Sequence, residues 1–225
     1  MYRFTDRKEA GKKLAEALAE YAGRTDLMLL ALPRGGVPVA HEIATALSLR
    51  LDVLLVRKLG VPGHEELAMG AIAWDHIYFI NHAIVEQFGI TTTAIYSVMV
   101  NEQAELGRRN KLYRNNLPPP QIEGKTIIVV DDGLATGATM RVAIAVLQHM
   151  KAKHIIAAIP VGPAETCMEL EADIDEVVCL YTPEPFYGVG QWYNDFSQTS
   201  DEEVLEILGF HYSHQYGKAG YKKQG

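Results

Sequence analysis

The stretch IIVVDDGLATGATM, residues 127–140, places two adjacent carboxylates directly after four apolar residues that are typical of a buried strand. Asp131 and Asp132 would then lie where the strand opens to solvent, which is unfavourable for two like charges unless a cation or a polyol meets them. The glycine- and threonine-rich loop that follows offers backbone amides that can hold a phosphate at the start of a helix. A ribose 5-phosphate, with a phosphate and vicinal hydroxyls in one ligand, satisfies both halves of the stretch.

Several other site motifs are missing from the sequence. The loop lacks both the GxxxxGK[ST] pattern of a Walker loop and the GxGxxG pattern of dinucleotide-binding folds. His64, in GHEEL, has no second histidine one helical turn away, so a zinc site is not indicated. No G-x-S-x-G elbow is present, and we expect no covalent nucleophile.

The elements that must position these residues follow from the alternation of apolar patterns along the chain. Short, nearly continuous apolar runs predict parallel strands at 26–32, 51–57, 125–132, 154–161 and 175–181. Helical patterns lie at 7–21, 37–48, 83–88, 92–115, 139–151, 163–171 and 201–208. The alternation predicts a doubly wound α/β fold with a mainly parallel central sheet. Ligands bind such folds at the carboxyl ends of the strands, so the loops after the strands are the candidate sites.

The composition is that of an ordinary soluble globular protein. With 225 residues, 48% of them hydrophobic, we expect a single domain over 1–210 and a flexible tail at 211–225. A formal charge of −7 argues against nucleic acid as a partner. The N-terminal stretch lacks the apolar core of a signal peptide and no run of about 18 apolar residues occurs, so we expect a cytoplasmic protein without membrane association. Cys167 and Cys179 lack CxxC spacing and are expected to be reduced.

The segment VVDDGLATGAT resembles the phosphoribosyl pyrophosphate (PRPP) signature of type I phosphoribosyltransferases. The resemblance implies that Asp131 and Asp132 bind the ribose 2′- and 3′-hydroxyls. It also implies that the 5′-phosphate is held by Ala135, Thr136, Gly137, Ala138 and Thr139. Two acids that close a strand, followed by a turn that caps a helix, would explain each part singly but not their combination.

Two further loops are similar to segments of the same family. In LPRGGVPVA, the residues Arg34, Gly35 and Gly36 resemble the pyrophosphate loop, which often carries a cis peptide, here between Pro33 and Arg34. A turn followed by a helix cap is the structural alternative.

The segment RKLGVPGHEELAMGA is similar to adenine phosphoribosyltransferases. By that likeness Arg57 and Lys58 would supply cations to the pyrophosphate, and residues 59–70 would form a flexible loop that closes over the reacting centre. The alternative for the two basic residues is a solvated strand end.

After the last strand, YTPEPFYGVGQWYNDFSQ resembles the hood of hypoxanthine phosphoribosyltransferases, with one extra residue before Val189. The resemblance implies a small hood at about 183–197, in which Phe186 stacks on a base while Val189 and Gly190 present backbone groups to its edge. Asp195 would help to hold a magnesium-bound pyrophosphate. An aromatic cluster that merely packs under the sheet edge is the alternative.

Taken together, the resemblance implies a Mg²⁺-dependent transfer of ribose 5-phosphate from PRPP to a nitrogenous base, with release of pyrophosphate. The expected catalytic residues are Arg57, Lys58, Glu65 and Asp131. We also expect a homodimer and a helical insert at about 81–117, whose long helix carries the mixed charges of a solvated or dimer-facing surface. A non-catalytic PRPP-sensing regulator and a hydrolase of a ribosyl phosphate remain open.

The acceptor base is constrained by a departure from the family pattern. Hypoxanthine and guanine enzymes place a lysine at the end of the fourth strand to read the 6-oxo group, whereas AIPVGPAE offers Val161, Gly162 and Pro163 there. We therefore expect hypoxanthine and guanine to be poor substrates. A 6-aminopurine is favoured, because the RKLG segment is closer to the adenine enzymes.

Overall fold

A computed structural model describes residues 2–73, 77–115 and 117–220 of the chain. Its strands are, in chain order, β1 (Leu27–Ala31), β2 (Arg50–Val53), β3 (Val56–Val61), β4 (His64–Ala73), β5 (Tyr78–Ile80), β6 (Thr126–Val130), β7 (His154–Val161) and β8 (Glu176–Tyr181). Five of them form a parallel sheet in the order β2-β1-β6-β7-β8, and the other three form an antiparallel sheet in the order β3-β4-β5. The α/β fold with a parallel central sheet is confirmed.

The helices are α1 (Arg7–Ala17), α2 (Gly36–Leu47), α3 (His82–Gln87), α4 (Thr92–Arg114), α5 (Ala138–His149), α6 (Ala164–Glu171) and α7 (Asp201–Gly220). Polar side chains fix several of their starts: Asp6 accepts from the Glu9 amide at 2.8 Å, and Thr91 accepts from the Ala94 amide at 3.2 Å. Within the described ranges, no helix combines the length and the apolar character needed to cross a bilayer.

The core of the sheet consists of β1 and β6, whose residues are all buried. LMLLA and TIIVV are apolar on both faces because helices cover both sides of the sheet, and this is why the sequence shows no alternation there. The two strands are neighbours, with Ala31 opposite Val130 at their carboxyl ends. The loops that follow them, at 32–36 and 131–137, therefore lie side by side.

The predicted strand at 51–57 is two strands that belong to different sheets. β2 ends at Val53, and the chain then turns away so that Arg57 lies opposite Ile72 in the antiparallel sheet. The run DVLL, residues 52–55, is buried across this break and the half-buried Val56 follows it, so hydrophobicity alone cannot mark the break. Residues 59–70, which we expected as a flexible loop, instead form most of the β3–β4 hairpin, which turns at Pro62 and Gly63.

The C-terminal segment is also more ordered than its composition indicates. The expectation that the chain becomes a flexible tail at residue 211 is wrong for 211–215, because α7 continues to Gly220 and buries His211 and Tyr212. The Tyr212 hydroxyl donates to Asp52 Oδ1 at 2.5 Å, and Arg114 donates to both oxygens of the same carboxylate at 2.9 Å. This buried group fixes α7 and the end of α4 to β2. Residues 221–225 lie outside the described part of the chain.

Candidate active site

Two carboxylates stand at the carboxyl end of β6, where the sequence predicts a site. The Asp132 amide donates to Asp131 Oδ1 at 2.8 Å, and Asp132 Oδ2 accepts from Arg7 Nε at 2.8 Å. The Arg7 and Asp132 side chains are only 12% and 15% exposed. Burial, and next the charge of Asp132, raise the pKa of Asp131 well above its usual range. The two adjacent acids are tolerated because Arg7 neutralises Asp132 and because the raised pKa of Asp131 favours its uncharged form.

The loop after β1 packs directly against the two carboxylates. A Cβ atom on Gly35 would overlap Asp132 Oδ2, and one on Gly36 would lie 2.5 Å from the Val130 carbonyl oxygen. Only glycine therefore allows this close approach. The peptide bond between Pro33 and Arg34 is cis, as the resemblance implies. The expected pyrophosphate loop and the expected ribose-binding carboxylates are thus in contact.

The loop after β6 ends at the N-terminus of α5. Gly137 is the N-cap and adopts φ 71°, a left-handed conformation that favours glycine. The Ala138 amide is 3.4 Å from Thr136 Oγ1, whereas the amides of Thr139 and Met140 have no hydrogen-bond partner within the described residues. The expected 5′-phosphate residues, apart from the buried Gly137, are exposed: Ala135, Thr136, Ala138 and Thr139. The first turn of α5 is therefore open to an anion.

Three of the four expected catalytic residues border a cavity of about 730 Å³ between the β3–β4 hairpin and α4. Arg57 and Lys58 lie on β3, and Glu65 lies on β4, where its carboxylate accepts from the Gly63 amide at 3.2 Å. The cavity also reaches Pro33 of the loop after β1, and Ala138 and Thr139 of the phosphate loop. Asp131 is not among the lining residues and stays with Asp132, so the structure divides the four residues between two neighbouring places.

Two arginines of this region are paired with carboxylates. Arg57 Nε donates to Glu102 Oε2 at 2.5 Å. Arg34 Nη1 lies 3.5 Å from Asp201 Oδ1, and Asp201 also accepts from the Tyr113 hydroxyl. The hydrogen bond from Tyr113, with a smaller contribution from Arg34, lowers the pKa of Asp201, while burial and Asp201 raise the pKa of Tyr113 to about 12.

The predicted hood region, residues 183–197, closes over the other side of the carboxylate pair. Phe186 and Val189 are half-buried against a cluster of buried residues, namely Phe4, Ala10, Val161, Trp192 and Tyr193. A Cβ atom on Gly133 would overlap Val189, and the Tyr193 hydroxyl donates to the Asp132 carbonyl at 2.7 Å. The hood therefore contacts the loop after β6. The base-binding roles of Phe186, Val189 and Gly190 stay predictions.

Asp195 is exposed within the hood, and its carboxylate accepts from the Ser197 amide at 2.9 Å, which lowers the pKa of Asp195. Within the described residues, no three side chains of His, Cys, Asp or Glu form a metal-binding cluster. Cys167 is buried and Cys179 is half-buried, and both are free thiols.

Arg7 is the residue that sequence reasoning missed. It is the first residue of α1, and besides Asp132 it contacts the hood: Nη1 donates to the Ser197 carbonyl at 2.7 Å, and Cζ lies 4.0 Å from the centre of the Phe196 ring. In FTDRKEAGKK it is one of several mixed charges at the start of an amphipathic helix, so no local signal distinguishes it.

This arrangement can be compared with known proteins. A family model described as phosphoribosyl transferase domain matches residues 3–191. The chain belongs to this family. The matched range contains the loop after β1, the carboxylate pair, the phosphate loop and most of the hood.

Individual relatives of this family share much of the chain. A Mycobacterium tuberculosis protein, named "Putative phosphoribosyl transferase" in two strains, is 43% identical over 208 residues, which is 92% of this chain and 47% of the relative. The chain thus spans about half the length of the curated relatives it matches. The crystal structure of TT1426 from Thermus thermophilus is 38% identical and superposes with a TM-score of 0.84, covering 92% of this chain and 97% of that chain.

Proposed function

We propose that this member of the phosphoribosyl transferase family transfers ribose 5-phosphate from PRPP to a nitrogenous base and releases pyrophosphate. The contact between Gly35 and Asp132 is the observation that carries the proposal. It brings the loop that would bind pyrophosphate against the carboxylates that would bind the ribose, so that both parts of one PRPP molecule can be held at once.

Each part of PRPP has a group of suitable chemistry. The 5′-phosphate would accept from the amides of Thr139 and Met140 at the start of α5 and from the Thr136 hydroxyl. The ribose hydroxyls would donate to Asp131 and Asp132. Because Arg7 occupies Oδ2 of Asp132, Oδ1 is the oxygen left for a hydroxyl.

The reaction breaks the bond between C1 and the pyrophosphate oxygen and forms one between C1 and a ring nitrogen. Positive charge develops on the ribose, and negative charge develops on the pyrophosphate. Arg34, Arg57 and Lys58 would stabilise the leaving group, because preorganised cations act most strongly where charge appears in the transition state. The carboxylate of Asp132 would stabilise the positively charged ribose, and Asp131 would accept a hydrogen bond from a ribose hydroxyl.

The oxygen donors of this region fit a magnesium ion that is shared with the substrate. Mg²⁺ usually binds through one or two carboxylates together with substrate phosphates. The exposed carboxylate of Asp195 is a donor of this kind. When bound, the ion would supply positive charge to the pyrophosphate.

The acceptor is proposed to be a base other than hypoxanthine or guanine. A Cβ atom on Gly162 would lie 3.0 Å from Leu134 Cβ and 3.4 Å from Cys167 Sγ, so no donor side chain stands at this place and little room exists for one. The backbone groups near Val189 remain to read the base edge, and an adenine-like ring is favoured.

The test is pyrophosphate release from PRPP and Mg²⁺ with adenine, hypoxanthine, guanine, xanthine, uracil or orotate, and without a base. Base-dependent release supports the proposal, and release without any base indicates the hydrolase instead. A rise in the melting temperature with PRPP but no turnover indicates the PRPP sensor. No rise at millimolar PRPP overturns the site itself, because 100-fold saturation should stabilise the fold by about 2.7 kcal/mol.

A further inference from the structure

The two arginines assigned to pyrophosphate each contact a carboxylate from a helix that the family resemblance does not include in the site. Arg57 pairs with Glu102 on α4, and Arg34 pairs with Asp201 at the start of α7. We propose that Glu102 and Asp201 are positioning residues that hold these arginines for the leaving pyrophosphate. The inference rests on the proposed function.

The geometry of the Arg57–Glu102 pair suits positioning rather than neutralisation alone. A guanidinium has five N–H donors, and the bond at Nε leaves the four donors on Nη1 and Nη2 for phosphate oxygens. Both side chains are partly buried, at 37% and 24% exposed, and both line the cavity that also reaches Thr139. The pair therefore holds the guanidinium at the wall of the cavity that also reaches the phosphate loop.

The helices that carry the two carboxylates are themselves fixed. Arg114, at the end of α4, is fully buried and bonds Asp52 on β2, and the same carboxylate accepts from Tyr212 on α7. Tyr113 on α4 donates to Asp201 on α7. Because α4 and α7 are joined to each other and to β2 in this way, Glu102 and Asp201 stand on helices that are anchored outside the loops that bind the ligand.

A positioning role and a purely electrostatic role predict opposite changes in PRPP affinity when a carboxylate is removed. Both carboxylates are negative, so if they acted only through charge, removing either would strengthen binding of the anionic pyrophosphate. If they position an arginine, removal weakens that binding. Ribose 5-phosphate lacks the pyrophosphate, so its affinity should not change in either case.

The experiment compares the wild type with Glu102→Ala, Glu102→Gln and Asp201→Ala, using titration calorimetry with PRPP and with ribose 5-phosphate in the presence of Mg²⁺. We expect the alanine variants to bind PRPP about tenfold more weakly, which corresponds to one lost charge-assisted hydrogen bond. Glu102→Gln keeps an oxygen that can accept from Arg57 Nε and should recover part of the affinity. Ribose 5-phosphate should bind all of them as it binds the wild type.

Matched controls remove a carboxylate without touching either arginine. Glu105→Ala, one turn along α4, breaks the pairs with Arg108 and Arg109, and Glu202→Ala lies in the same first turn of α7 as Asp201. In an Arg57→Ala background, Glu102→Ala should have no further effect on PRPP affinity, because the two act through one contact.

The outcomes separate the inference from the function on which it rests. If the wild type binds PRPP but Glu102→Ala and Asp201→Ala bind it as tightly as their controls, or more tightly, the positioning role is wrong and the proposed function stands. If the wild type binds neither PRPP nor ribose 5-phosphate, both the positioning role and the proposed function are wrong. The positioning role of Glu102 is also wrong if Glu102→Ala weakens PRPP binding by the same factor in the Arg57→Ala background as in the wild type.

Discussion

Arg7 Nε lies 2.8 Å from Asp132 Oδ2, which joins the first helix to the carboxylate pair at the end of β6. Both side chains are largely buried, and the same guanidinium stacks on Phe196 of the hood. The first helix, the end of β6 and the hood thus meet at the Arg7 guanidinium, so the stability of the fold depends on the charge of the carboxylate pair.

Replacing Arg7 by alanine should lower the free energy of unfolding by about 2 kcal/mol or more, because Asp132 is left partly buried and unpaired beside Asp131. Urea unfolding at neutral pH measures the change. Arg24→Ala, which breaks the more exposed pair with Asp26, should cost less than about 1 kcal/mol. Equal losses in the two variants would contradict a special role for Arg7.

Gly35→Ala should abolish PRPP binding, because its methyl group would occupy the position of Asp132 Oδ2 and push the loop after β1 away from the carboxylates. Gly107→Ala is the control: it lies inside α4 with nothing within 4 Å of an added Cβ, and should stabilise the helix by about 0.5–1 kcal/mol. PRPP titration of both variants checks this, and normal binding by Gly35→Ala would refute the close approach.

Thr136→Val should weaken PRPP binding about tenfold, since one hydroxyl donor to the phosphate is lost. The side chain is exposed, so the melting temperature should not change. Thr93→Val, at another exposed threonine, should alter neither quantity. Asp132→Asn should also weaken binding without unfolding the chain. Unchanged affinity in both site variants would mean that the stretch at 127–140 is purely structural.

The free energy of unfolding should depend on pH through His211. Burial, and next His41 and His214, lower the pKa of His211 from 6.5 to about 4. Below pH 6.5 the unfolded chain takes up a proton that the folded chain does not, so this contribution is complete above pH 6.5 and is lost as the pH falls towards 4.

Between pH 7 and pH 5 the free energy of unfolding of the wild type should therefore fall by about 2 kcal/mol more than that of His211→Gln. His149→Gln, at an exposed histidine, should lose as much as the wild type. Urea unfolding at the two pH values decides the matter, and parallel losses in all three proteins would rule out His211 as the source.

The parallel sheet and the position of the carboxylate pair could be predicted from the sequence because both depend on local pattern. IIVV, residues 127–130, is continuously apolar and is followed directly by Asp131, so the end of the strand coincides with the site. The contacts within the site could not be predicted. Arg7 reaches Asp132 from 125 residues away, and nothing near Arg7 in the sequence specifies that partner.

Two of the errors in the fold have a similar cause. Leu54 and Leu55 are buried like the last three residues of β2 before them, and the half-buried Val56 follows, so the apolar run continues across the break between β2 and β3. In the last helix, Tyr212 looks like part of a polar, glycine-rich tail, and its burial depends on Asp52 and Arg114, which lie far away in the chain. Long-range partners, which a pattern of neighbours does not contain, decided both cases.

The pairing of Phe4 with the hood also sets the order in which parts of the protein can fold during synthesis. The Phe4 amide donates to the Trp192 carbonyl at 2.8 Å, and the Asn194 amide donates to the Phe4 carbonyl at 2.8 Å. All five strands of the parallel sheet precede these partners in the chain. A growing chain on the ribosome can therefore complete its sheet before the hood has been made, and the carboxylate pair is covered only after residues 183–197 have been synthesised.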